Sequence, residues 1–155
     1  MPTPSIRDLM TQTPTCCTPQ TPINEVARMM VEEDCGLVPV VENLQDLRLV
    51  GVVTDRDLVV RILAKDIDPA AAMVHQAMSE EIATLGVDAG IGECARVMSE
   101  MQVRRVPIVD GGGRVIGIVA QADLARAGAQ EAGLQDEVAG VVSEVSEPSG
   151  GSRAV

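Results

Sequence analysis

Residues 23–41 read Ile23-Asn-Glu-Val-Ala-Arg-Met-Met-Val-Glu-Glu-Asp-Cys-Gly-Leu-Val-Pro-Val-Val41. Residues 91–109 read Ile91-Gly-Glu-Cys-Ala-Arg-Val-Met-Ser-Glu-Met-Gln-Val-Arg-Arg-Val-Pro-Ile-Val109. The second stretch is the first, displaced by 68 residues. Extended outward, the shift lays residues 10–41 on 78–109 with ten of 32 positions identical, from Met10/Met78 to Val41/Val109. Ordinary residue frequencies would give roughly two. Beyond a short gap the shift becomes 66, and Arg48/Arg114, Gly51/Gly117, Val53/Val119, Asp57/Asp123 and Leu58/Leu124 match. One unit therefore occurs twice, with two extra residues in the first copy between Val41 and Arg48, where a loop tolerates them.

Each copy reads β-α-β-β-α. A brief strand (Thr15–Thr18, Ile82–Leu85) precedes an amphipathic helix. In the first copy Ile23, Val26, Ala27, Met30 and Val31 recur at helical spacing, with Thr21 as N-cap and Pro22 at the first helical position. In the second copy Ile91, Cys94, Ala95, Met98 and Met101 repeat the stripe. Strands follow at Leu37–Val41 and Val106–Val109, each with a proline expected at a strand start or exposed edge, because proline removes a ladder donor. After a turn comes Arg48–Val53 or Arg114–Val119, so the pair reads as a hairpin. A last helix begins near Asp55 or Gln121. The class is α/β in the broad sense (α+β). One unit leaves its apolar faces uncovered, so two are expected to pack with pseudo-two-fold symmetry. The copies span 5–66 and 73–130, with a linker at 64–74 and a frayed tail at 143–155.

The 155-residue chain is 46% hydrophobic, ample for a core, yet contains no Phe, Trp or Tyr. Without aromatics there is no base-stacking platform, and a net charge of −11 opposes a grip on phosphate backbones, so nucleic acid is excluded as a partner. No apolar run approaches the ~18 residues that span a bilayer, and the N-terminus lacks the apolar core of a secretory signal. A cytoplasmic protein with four free thiols, no disulfide and no membrane contact is expected.

The repeated segments carry a resemblance. Met10, Glu25–Met30, Leu37–Val41 and Gly51-Val-Val-Thr-Asp-Arg-Asp-Leu58, with their counterparts Met78, Glu93–Met98, Arg105–Val109 and Gly117-Ile-Val-Ala-Gln-Ala-Asp-Leu124, resemble a tandem pair of CBS domains. The likeness covers about residues 5–127, with no catalytic domain attached. It implies a regulatory module, not an enzyme. The ligand implied is adenosyl (AMP, ADP, ATP, S-adenosylmethionine or a dinucleotide), held in clefts between the copies of a Bateman-type module. Homodimers and a protein target that reads the ligand are implied too. No resident cofactor is implied, the nucleotide being a regulatory ligand.

The residues themselves allow such a site. Thr54 offers a hydroxyl, and Asp57 a carboxylate whose two acceptors match the two donors of a ribose diol. Gly51 would let a ligand approach the backbone. Thr54-x-x-Asp57 is equally close to a helix capping box, so a purely local role stays open. In the second copy Asp123 persists while Ala120 replaces the threonine. For phosphate the candidates are Arg56 and Arg105, the latter placed where the family often has a phosphate-contacting arginine; the first copy has Leu37 there. The family's adenine contacts map onto the backbone around Cys16, Val38 and Pro39, or around Thr84 and Pro107.

Two other readings stand beside the sensor. A dimerisation module without a functional ligand fits Ala120 and Leu37. A thiol or metal protein would use Cys16 and Cys17, with Cys35, Cys94 and His75. Adjacent strand cysteines point opposite ways and no C-x-x-C spacing occurs, so no metal site is expected. No GxSxG, Walker or HExxH motif appears.

Overall fold

The computed structural model describes residues 4–130; the expected tail at 143–155 lies outside them. The chain is of mixed α+β type and divides by contact into two compact units that do not coincide with the sequence repeats. Within the described residues, unit 1 holds 4–12, 83–108 and 117–130, and unit 2 holds 13–82 and 109–116.

Unit 2 contains helix α2 (Ile23–Glu32), strands β2 (Leu37–Val41) and β3 (Leu49–Thr54), and the short helix α3 (Asp55–Asp57). β2 and β3 form an antiparallel hairpin in which Leu37 faces Thr54, Val38 faces Val53 and Val40 faces Gly51. Four of the five β2 residues are buried, as expected of a strand covered on both faces. Of these, Val38 and Val40 share a core with Cys17, Ile23, Val26, Met30, Val53, Ile62, Ala72, Val74 and Ala77. After α3 the chain widens into a π-turn over Leu58–Ile62, the Leu63 amide reaching back to Leu58, and then tightens into a 3-10 turn, Leu63–Lys65. The expected linker is docked: Ala72 and Val74 are buried, and the Ala72 carbonyl accepts from the Ile23 amide at 3.0 Å.

Unit 1 contains α1 (Ile6–Leu9), β1 (Thr11–Gln12), β4 (Leu85–Gly86), α4 (Ile91–Met101), most of β5 (Arg105–Val109) and β6 (Val115–Ala120), and α5 (Gln121–Gln130). Its sheet runs β1-β6-β5-β4. Ser5 and Asp8 close a capping box on α1. Ile6, Ile91, Cys94, Met98, Val106, Ile108, Val119 and Leu124 are buried.

Several expectations are corrected. Residues 15–18 make no strand; Cys17 alone forms a parallel bridge, to Val40. Thr21 does not cap α2, whose cap position is Pro22; its hydroxyl oxygen accepts from the Thr18 amide at 2.9 Å. Val31 and Met101 lie on the solvent side of their helices, 81% and 52% exposed. Pro39 and Pro107 sit third in five-residue strands and are buried, not at strand starts or exposed edges. Pro39 is tolerated because the neighbouring pairing is a single bridge: its carbonyl accepts from Cys17, and the bond its nitrogen lacks would fall beyond that bridge.

The repeats also exchange their entry segments. Thr11 and Gln12, from the first repeat, pair with Ile118 and Gly117 of the second. Ser79, from the second, pairs with Val52 of the first through amide–carbonyl bonds of 2.8 and 3.0 Å. Gly51 serves this contact. A Cβ there would lie 2.6 Å from both the Ser79 carbonyl oxygen and the Met78 methyl. Gly117 meets Met10 in the same way.

Candidate functional site

In unit 2, β3 runs directly into α3, and the turn is closed by two reciprocal bonds. The Asp57 amide donates to Thr54 Oγ1 at 3.1 Å, and Asp57 Oδ2 accepts from the Thr54 amide at 2.9 Å. This is a complete capping box, which satisfies two donors left unpaired at the helix start. The capping role of Thr54 and Asp57 is therefore realised. It leaves Asp57 Oδ1, on a side chain 17% exposed, facing the Arg61 guanidinium at 3.8 Å. The Thr54 hydroxyl accepts through oxygen, so its proton remains available to donate.

Arg61 is the neighbour that spacing could have revealed, four residues after the acid. The π-turn carries it to the entry segment, where Nη1 donates to the carbonyls of Met78 at 2.9 Å and Ala77 at 3.5 Å. Arg56 is exposed, and no partner for its guanidinium exists among the described residues.

Unit 1 repeats the arrangement at the β6–α5 junction. Asp123 Oδ2 accepts from the Ala120 amide at 2.8 Å, and Oδ1 pairs with Arg126. Ala120 supplies no hydroxyl, so only the carboxylate half of the box is present. Asp123 is 7% exposed and Arg126 is mostly in solvent. The two junctions correspond bond for bond on their outer side as well. The Asp55 amide donates to the Gly36 carbonyl at 3.0 Å, and the Gln121 amide donates to the Arg104 carbonyl at 2.7 Å.

Thr54, Arg56, Asp57, Cys16, Val38 and Pro39 thus belong to unit 2; Arg105, Asp123 and Thr84 belong to unit 1. The backbone groups mapped to adenine are partly taken. The Cys17 amide donates to the Pro39 carbonyl at 3.0 Å, and the Val41 amide to the Cys17 carbonyl at 2.8 Å. Cys16, half-buried beside them, has no backbone hydrogen bond among the described residues. Its thiol donates to the Pro14 carbonyl at 3.3 Å, and burial pushes its pKa up to about 11. Burial pushes Cys17 and Cys94 up to about 12, assisted by neighbouring acidic groups. None of the three is a ready thiolate. Among the described residues no three His, Cys, Asp or Glu side chains gather as a metal site would require.

A hairpin feeding a helix whose first turn holds an acid bonded back to the amide that opens it, built twice, defines the class. The chain belongs to the CBS-domain family, whose model matches residues 6–64 and 74–130. It is similar to Hypoxic response protein 1 of Mycobacterium tuberculosis, 38% identical over 120 residues, 77% of this chain and 82% of that one. The crystal structure of Hypoxic Response Protein I, with two coordinated zinc ions, superposes with a TM-score of 0.72 at 37% identity, over 79% of this chain and 98% of the other. CBSX2, a CBS-pair protein of Arabidopsis thaliana, solved in complex with AMP, gives a TM-score of 0.70 at 26% identity, over 81% and 96%. The CBS domain pair of MJ0100, solved with 5′-methylthioadenosine and S-adenosylmethionine, gives 0.69 at 25%, over 79% and 98%. No helix among the described residues is long and apolar enough to cross a membrane.

Proposed function

We propose that the chain is a regulatory, non-catalytic module that binds an adenosyl ligand at the strand–helix junctions of its two units. The observation that carries this is the state of the two acids. Asp57 and Asp123 each use one oxygen on the amide that opens the turn and keep the other toward a single arginine. That second oxygen can take a ribose hydroxyl without undoing the turn. The AMP of CBSX2 and the methylthioadenosine and S-adenosylmethionine of MJ0100 are ligands of this chemistry. The purine would lie along the backbone at Cys16, Val38 and Pro39 in unit 2, and near Thr84 and Pro107 in unit 1. A homodimer would pass occupancy to a protein target as a shift between conformations.

A thermal-shift panel of adenosine, AMP, ADP, ATP and S-adenosylmethionine tests it. Ligand at 100 times its dissociation constant adds about 2.7 kcal/mol to stability. No movement of the midpoint at millimolar ligand would overturn the proposal. A second reading, a dimerisation module that binds no nucleotide, is favoured by one observation: the capping box accounts for Thr54 and Asp57 from local structure alone. Unchanged dimer assembly together with an absent ligand response would select it.

A further inference from the structure

The hydrogen bonds from Asp55 to Gly36 and from Gln121 to Arg104 mark the same place in the two units, so the side chains around it compare directly. In unit 2 that place holds Gly36, Leu37 and the Asp55 carboxylate, which packs over Gly36 so closely that a Cβ there would lie 2.9 Å from Asp55 Oδ2. With Asp57 this puts two carboxylates at the junction. Of its two guanidiniums, Arg61 is engaged with Asp57 and with the Met78 and Ala77 carbonyls, leaving Arg56 in solvent. In unit 1 the same place holds Arg104 and Arg105, and Gln121 and Ala122 stand where unit 2 has Asp55 and Arg56. The junction has one carboxylate, Asp123, paired with Arg126, and of the adjacent Arg104 and Arg105, which leave the strand on opposite sides, one faces it. Arg126 meets only Asp123, while Arg104 and the half-buried Arg105 have no side-chain partner among the described residues.

From this difference we infer that the two sites take ligands of opposite charge class. Unit 1 takes the phosphorylated adenosyl ligand, with Arg105 on the phosphate. Unit 2 takes a neutral or cationic one, such as adenosine, 5′-methylthioadenosine or S-adenosylmethionine. The physical reason is that a phosphate entering unit 2 meets Asp55 and a guanidinium already engaged, whereas in unit 1 it meets Arg105, whose guanidinium has no side-chain partner among the described residues. The inference rests on the adenosyl reading of both junctions.

The test exchanges the equivalent residues in the full chain and titrates calorimetrically with adenosine and AMP. Arg105→Leu gives repeat 2 the residue of repeat 1, and Leu37→Arg does the reverse. The first substitution is expected to weaken AMP at least tenfold, to remove the salt dependence of its binding and to leave adenosine within twofold. The second is expected to create a further AMP site in unit 2. Asp57→Asn should weaken adenosine in unit 2 at least tenfold and leave the tighter AMP event unchanged. Loss of AMP with Asp57→Asn, or equal weakening of adenosine and AMP by Arg105→Leu, overturns the charge assignment and leaves adenosyl binding intact. If neither ligand binds the unaltered protein, the proposed function itself falls.

Discussion

Asp57 has a structural task and a proposed binding task, and replacement by asparagine separates them. An asparagine amide oxygen can still accept from the Thr54 amide, now bonded to Asp57 Oδ2 at 2.9 Å, so the capping box persists. What disappears is the charge, and with it the loose pairing of Oδ1 to Arg61 at 3.8 Å. That pair is half in solvent on the arginine side and contributes little, within ~1 kcal/mol. The position of Oδ1 is then filled by an amide NH2, a donor that cannot accept a ribose hydroxyl, so the whole hydroxyl-to-carboxylate bond, worth about 1.5–3 kcal/mol, is lost. That loss predicts that Asp57→Asn weakens adenosine by roughly 10- to 140-fold, at about 1.4 kcal/mol per decade. Asp57→Ala should lose the same affinity and in addition about 0.5–2 kcal/mol of stability, because the carboxylate half of the cap goes too. Thr54→Ala should show the stability loss with a small change in affinity. Urea unfolding and calorimetric titration on the same preparations supply both numbers. Adenosine bound by Asp57→Asn as tightly as by the unaltered protein would show that the acid is a cap and nothing more.

Gly51→Ala should destabilise by about 1–3 kcal/mol, because its methyl would lie 2.6 Å from the Ser79 carbonyl, whereas Gly86→Ala, with nothing within 4 Å, should stay within ~1 kcal/mol; chemical unfolding compares them. Met98→Ala, at a fully buried position, should cost about 2–5 kcal/mol, while Val31→Ser, 81% exposed, should stay within ~0.5 kcal/mol by the same assay. Cys17 and Cys94 should resist alkylation at pH 8 in the native protein, as read by mass spectrometry. Since their folded pKa values, about 12, lie above the ordinary 9.0, the stability they contribute is complete below pH 9 and declines as pH rises toward 12.

The repeat, its helices and its hairpins were legible because apolar spacing and turn residues act locally. Ile23, Val26 and Met30, like Ile91, Cys94 and Met98, are buried as their periodicity required. The exchange of entry segments was not legible. Met10 and Met78 matched as equivalents, but nothing local says that each packs on the glycine of the other repeat's last strand. Strand pairing between distant segments depends on where the chain returns, and a two-residue strand such as Thr11–Gln12 has no periodicity of its own. The glycine at 51 was visible; the neighbouring backbone it makes room for was tertiary. In the site, the capping geometry of Thr54 and Asp57 followed from spacing. The spacing of Asp57 to Arg61 and of Asp123 to Arg126 was on the page too, but a surface arginine is so common that only the observed pairing singles it out.

That the acid also closes the turn affects how any signal could leave the site. An acid held only by ligand would be free to reorient when the ligand departs, and the helix after it would be unaffected. Asp57 cannot reorient without breaking the bond from Thr54 and opening the start of α3, so its carboxylate keeps one orientation in either state. On the proposed binding mode, the group that answers occupancy is therefore Arg61. A diol occupying Oδ1 competes with the weaker of its contacts, at 3.8 Å, and leaves the stronger, to Met78 at 2.9 Å. Arg61 stands in the π-turn, whose five-residue bonds hold the backbone less regularly than α-helix, and Met78 lies one residue before the Ser79 bridge to Val52. In unit 1 the corresponding Arg126 has no second anchor among the described residues, so its release would pull on nothing. The same acid in the same turn thus ends in two mechanical contexts, one tied to an entry segment and one ending in solvent. A signal that depends on tension in the entry segment would arise in unit 2 alone.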